Sequence, residues 1–285
     1  MRILTKLSSA IMMATLLFTF ACQQRNEVAN PNEIPQTVLN QIKALGFTNT
    51  GVFATEGGYI VEGDIFLSNE ALAAKPRHRH MLRIAEAEQY RTNNVVVTGG
   101  NRTISIWAKT SGRNSYSAAM IAGLDEAIAR YNALGLDISF NRVTRRRNAD
   151  IRMSRLTSAE ENAGILGSAG FPTASGDPYN QIKMSGILES AYGLSTNGIA
   201  TIIAHEIGHC IGFRHTDYFN RAISCGGSAV NEGDGGVGAI LIPGTPSGAD
   251  LAGNGSYMLA CTDGSNRPFT SADVTALNWM YNGNF

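Results

Sequence analysis

Residues 204–215 read Ala204-His205-Glu206-Ile207-Gly208-His209-Cys210-Ile211-Gly212-Phe213-Arg214-His215, and this stretch decides the fold. The pattern is H-E-x-x-H-x-x-G-x-x-H. On a helix, His205 and His209 stand one turn apart and point the same way. Two imidazoles so placed bind one zinc ion. Glu206 is about 100° further round the helix, where it reaches past the metal and takes a proton from an attacking water. A helix running on through residue 212 would swing His215 away. Gly212 turns the chain there and returns His215 as the third ligand. Three neutral imidazoles leave a fourth position for water, which is a catalytic arrangement.

Working outward, Ile199, Ile203, Ile207 and Ile211 form an apolar i, i+4 ridge, with Ala200, Ala204, Gly208 and Gly212 in a row beside it. The ridge predicts burial, and the small residues allow close approach by another element. Ser195 or Thr196 caps this helix. Upstream, 103–107, 136–143, 149–153 and 181–185 read as strands, and 117–134 as an amphipathic helix with Met120, Ile121, Leu124, Ala127, Ile128 and Tyr131 on one face. Downstream the chain is glycine-rich and loop-like until Thr270 opens a last helix. Nearer the start, 35–45 reads as a helix, 59–67 as strand material and 68–74 as the beginning of a short helix. The run Arg145-Arg146-Arg147 reads as a solvated turn.

The chain has 285 residues, with 23 basic and 23 acidic, so its formal charge is zero. That balance argues against nucleic acid as a partner. With 44% hydrophobic and 16% charged residues, the chain is globular rather than disordered. Arg2 and Lys6 precede an apolar run that ends at Ala21-Cys22, which is the layout of an export signal over 1–21. Cys22 is the expected lipidation site, and two acyl chains would hold the protein on a membrane surface, not in it. The expected address is therefore the bacterial cell envelope or outer membrane through a lipid anchor, or otherwise secretion. The tether and a small N-terminal unit occupy 22–94, and the catalytic domain 95–285.

The extended motif resembles that of the metzincin zinc peptidases, and His-Glu-Ile-Gly-His resembles the bacterial dual-action HEIGH metallopeptidases. The resemblance is strongest over 196–217 and looser over 95–285. It implies an α+β, metzincin-like zincin catalytic domain: a mixed β-sheet with a backing helix and an active-site helix, then a loop-rich C-terminal half ending in a helix. It implies one catalytic zinc ion on His205, His209 and His215, with Glu206 as general base in hydrolysis of peptide bonds. Ser256-Tyr257-Met258 resembles the methionine turn, with Met258 as a hydrophobic floor. The segment 164–172 corresponds to the edge strand along which substrate is laid. Two positions depart from the commoner branches: Thr216 follows the third histidine, and Ala260 stands where one branch has a tyrosine. Tyr192, Tyr218 and Tyr257 are the candidates to replace it.

The expected partners are protein or peptide substrates. The small N-terminal unit reads as prodomain-like, with Arg77-His78-Arg79-His80 as a processing site. No cysteine lies between Cys22 and the zinc helix, so Asp64 and His80 are the candidates to cover the metal. The competing reading is a cell-surface binding protein with a vestigial or structural zinc site. A thermolysin-like peptidase with a distant glutamate ligand is disfavoured by His215. Cys225–Cys261 is the expected disulfide, with Cys210–Cys225 and Cys210–Cys261 as alternatives.

Overall fold

The computed structural model describes residues 34–73, 89–246 and 255–283. The export signal, Cys22 and the 77–80 segment, His80 included, lie outside the described residues. Helix α1 (Gln36–Ala44) leads into strands β1 (Phe53–Thr55), β2 (Gly58–Val61) and β3 (Ile65–Ser68), then α2 (Asn69–Ala73). After β4 (Tyr90–Arg91) come β5 (Arg102–Ala108), α3 (Ala118–Asn132), β6 (Ile138–Val143) and β7 (Ile151–Arg155). Helix α4 (Ser158–Asn162), β8 (Gly167–Ala169) and β9 (Gln181–Met184) precede the motif helix α5 (Thr196–Cys210). Helix α6 (Ala222–Cys225), β10 (Ile240–Leu241) and α7 (Ser271–Tyr281) complete the chain. Among the described residues, no helix is long and apolar enough to cross a membrane.

One mixed sheet has the order β1-β2-β3-β8-β9-β7-β5-β6. Strand β5 runs parallel to β6 and β7, and β7 parallel to β9. Their residues alternate as the period of a strand requires: Ile104, Ile106, Ile138, Phe140, Ile151, Met153, Ile182 and Met184 turn into the core. On the other face Thr103 and Ser139 pair through their hydroxyls at 2.9 Å.

Helix α3 is the backing helix. Ser117 caps it by accepting from Met120 N, which starts it at Ala118. Met120, Leu124, Ala127, Ile128 and Tyr131 are buried, whereas Ile121 is only half-buried. It packs on α5 so closely that a Cβ on Gly123 would come within 2.6 Å of Ile199 Cγ2. The isoleucine ridge of α5 is fully buried, as its spacing demands. The fold is thus α+β, with a mixed sheet, a backing helix and a motif helix, and a loop-rich C-terminal half closed by α7.

Two expectations are corrected. Residues 59–67 do not form one strand. Glu62 and Gly63 have positive φ (56° and 92°), so the chain turns and makes a hairpin of β2 and β3 with Asp64 in its loop. A non-glycine residue at positive φ is strained; here the Glu62 carboxylate accepts from Thr48 N at 3.2 Å and pairs with Arg214 at 3.4 Å. The second correction concerns β8. It is not a free edge, because β3 pairs with it in parallel, Ile65 opposite Ala169, and Ala169 N donates to Asp64 O at 3.0 Å. Residues 34–285 fall in one compact unit.

Candidate metal centre

Helix α5 starts at a Ser195 cap, whose side chain accepts from Gly198 N. It ends in a left-handed turn: Gly212 has φ +108°, Phe213 N donates to Gly208 O at 2.9 Å, and Gly212 N to His209 O at 2.9 Å. This double bond to the last carbonyls is the usual glycine stop. A Cβ at 212 would also crowd Asn94 O at 3.1 Å. The exit strand is then held by Thr92 N to Gly212 O at 2.8 Å and Arg214 N to Tyr90 O at 2.8 Å. These bonds return His215 to the face carrying His205 and His209.

The three imidazoles converge with a fourth donor, Asp64 from the β2–β3 turn, and their ligand atoms lie within 4.8 Å of one another. Asp64 Oδ2 is 3.0 Å from His215 Nε2, 3.1 Å from His205 Nε2 and 3.9 Å from His209 Nε2. His205 Nε2 and His209 Nε2 are 3.0 Å apart. Each ring's other nitrogen faces an acceptor: His205 Nδ1 meets Tyr257 O at 2.9 Å, His209 Nδ1 meets Phe213 O at 2.9 Å, and His215 Nδ1 meets Glu232 Oε1 at 2.8 Å. Carbonyl and carboxylate oxygens only accept, so these partners place the ring hydrogens on Nδ1. Three Nε2 atoms and one carboxylate oxygen then face a single point. This donor set fits a divalent metal.

The titration of the groups agrees. Burial pushes His209 down to about 4, so that ring is neutral. Burial opposes charge on His215 as well, but Asp64 and Glu232 outweigh it and raise its pKa well above the ordinary value. Burial likewise opposes the charge of Asp64, and His215 with the hydrogen bonds of the three imidazoles lowers its pKa well below normal.

Glu206 is buried beside the cluster, and its Oε2 has no hydrogen-bond partner. Its pKa is raised well above the carboxylate norm, by burial first and by the Asp64 charge second. Strand β8 makes room for it: a Cβ on Gly167 would run into Glu206 Oε1. A cavity of about 490 Å³ opens in front of Glu206, His205 and Asp64.

Met258 lies fully buried beneath α5, and a Cβ on Gly208 would come within 2.5 Å of its sulfur. The turn is fastened by buried Asp273, which accepts from Ser256 Oγ at 2.6 Å and Tyr257 N at 3.4 Å. Thr216 N donates to Met258 O at 3.0 Å, so the turn at Met258 also braces the chain beside His215. Cys225 and Cys261 are joined as a disulfide, and Cys210 is a buried free thiol. Of the tyrosines considered, Tyr257 turns its hydroxyl to Tyr131 at 3.2 Å, Tyr218 stacks edge-on against Tyr90, and Tyr192 is exposed.

Sequence reasoning missed Glu232 and Arg214. Glu232 also pairs with Arg221 at 2.8 Å and with fully buried Arg214 at 3.5 Å. It stands in a glycine-rich loop without periodicity, so nothing local marks it.

No curated protein matches the chain. Among solved structures, myroilysin is 14% identical and aligns with a TM-score of 0.39, covering 67% of this chain and all of that one. That likeness is too remote to bear on the site. The model of the dual-action HEIGH metallo-peptidases matches residues 60–281, which take in Asp64, the motif helix, the methionine turn and all but two of the strands' residues beyond β1, and the chain belongs to that family.

Proposed function

We propose that this protein is a zinc endopeptidase of metzincin type, in which an N-terminal prosegment ending at the 77–80 processing site holds the site closed through β3 and Asp64. The observation that carries this reading is the convergence of three Nδ1-protonated imidazoles and Asp64 on one point beside an unpartnered Glu206. Zinc bound there supplies the Lewis acidity that activates water and polarises the scissile carbonyl. Glu206 takes the proton of the attacking water and passes it to the leaving amine. Its raised pKa suits a group that must both accept and release a proton. Glu232, Tyr257 O and Phe213 O keep the three rings turned inward during turnover.

Substrate pairs along β8 once β3 has left it, adding a strand by main-chain hydrogen bonds. In the closed form β3 occupies that edge and Asp64 stands at the fourth position. Prosegment removal opens both places; Asp64→Ala opens the fourth position alone, which suffices for short peptides that bind without the β8 edge. Export and acylation of Cys22 are proposed on the N-terminal pattern alone; labelling with a palmitate analogue, lost in Cys22→Ser, tests them.

One observation favours a second reading. A closed set of four protein ligands is what a structural zinc site has. Zinc content and casein cleavage, measured on the full chain before and after cleavage at 77–80 and release of the preceding segment, separate the two. Cleavage that appears with loss of the segment supports the peptidase. A zinc-loaded, processed protein that cuts nothing overturns it.

A further inference from the structure

Beyond the chemistry at the metal stands the question of which side chain the cavity accepts. Its lining includes the apolar side chains of Ile165, Leu166, Ile202 and Leu259 beside His205 and Glu206. Two arginines, Arg221 and Arg267, also line it. Arg221 is already matched, by Glu232 at 2.8 Å and by the Glu62 carbonyl.

Arg267 is not. Its side chain is only 9% exposed, and its Nε is buried with no partner. Nη1 donates to Cys261 O at 2.9 Å, a neutral acceptor. The only carboxylate near Nη2 among the described residues is Asp263, at 3.5 Å, whose side chain is 70% exposed and already accepts from Ser265 N and Oγ. A long pair with an exposed carboxylate is screened and worth little. Buried arginine without a buried counter-charge is costly, and a ligand carboxylate would offset that cost.

The position is fixed from two directions. Arg267 N donates to Thr201 Oγ1 at 2.9 Å, and Thr201 is one helical turn before His205 on α5. Arg267 is therefore anchored about 6 Å along the helix from the metal ligand. The Cys225–Cys261 bond holds the carbonyl that orients its Nη1. A side chain next to the scissile bond has this reach.

We propose that the cavity takes an acidic side chain from the substrate residue adjoining the scissile bond, with Arg267 as the specificity-determining residue. This inference rests on the peptidase reading above. A carboxylate meeting buried Nε–H and Nη–H groups gains a charge-assisted pair that an amide of the same shape does not.

The test uses the full chain bearing Asp64→Ala, loaded with zinc, on a proteome-derived peptide library and on matched peptides with Glu or Gln beside the cut. The expected result is enrichment of acidic residues at that position and a Glu-over-Gln ratio in kcat/KM of about tenfold or more. Adding Arg267→Gln brings the ratio close to one, and Arg267→Lys restores part of it. The ratio is internal to each variant, so partial misfolding does not mimic the effect. Cleavage with no acidic preference in the protein with native Arg267 overturns this inference and leaves the peptidase intact. Failure to cut any peptide overturns the peptidase reading, and the preference falls with it.

Discussion

Asp64 Oδ2 and His215 Nε2 are 3.0 Å apart across 151 residues of sequence, and this contact closes the metal centre. It comes from a hairpin turn meeting the end of a motif helix. On the peptidase reading the carboxylate stands where water is needed, so Asp64→Ala is expected to raise cleavage of short peptides by the unprocessed chain by at least about tenfold, while zinc content stays at one ion through the three histidines. Fluorogenic peptide turnover and metal analysis on the same sample check this. Unchanged turnover would remove Asp64 as the block.

Glu206→Gln keeps the shape of the side chain but cannot take a proton. Zinc binding should persist and kcat should fall by about 10³-fold or more. Gly167→Ala approaches the same residue from the strand side. Its Cβ collides with Glu206 Oε1, so activity should drop with zinc still bound. A variant at 206 that cleaves at the native rate would show that another group is the base.

Glu232 holds the His215 ring by its Nδ1, at 2.8 Å. Glu232→Gln should weaken zinc affinity by about 10–100-fold, the usual effect of losing such a support. Competition against a chromophoric chelator measures it. Equal affinity in the variant would mean that the ring is oriented without the carboxylate.

Chelation should also lower stability. A ligand that binds only the folded state, held at a thousand times its Kd, contributes about 4 kcal/mol. Removing zinc with dipicolinate is therefore expected to lower the Tm by several degrees, and zinc, but not magnesium, to restore it. A Tm that ignores the chelator would argue that the four donors hold no metal.

The Cys225–Cys261 bond closes a span of 36 residues. Replacing both cysteines with alanine should cost roughly 3–4 kcal/mol by the loop-closure estimate, read from the urea midpoint. The effect on acidic-peptide selectivity should exceed that on zinc binding, since the bond orients the Arg267 partner rather than a ligand.

The sequence by itself determined the local part of this centre. A helical period of 3.6 residues puts His205 and His209 on one face, puts Ile199, Ile203, Ile207 and Ile211 on the buried one, and lets Gly212 reverse the chain toward His215. Each of these needs only neighbours within a few residues. Strand alternation over 103–107 is legible for the same reason. The hairpin of β2 and β3 was not, because an apolar run reads alike whether or not it turns at Glu62 and Gly63.

Tertiary structure alone decided the rest. Asp64 reaches His205 across 141 residues because β3 adds to β8, and Glu232 reaches His215 from a loop that no periodicity marks. Both are buried charges that persist only beside opposite charge. Their partners are supplied by the folded sheet and loops rather than by chain neighbours, and a linear pattern carries no record of them.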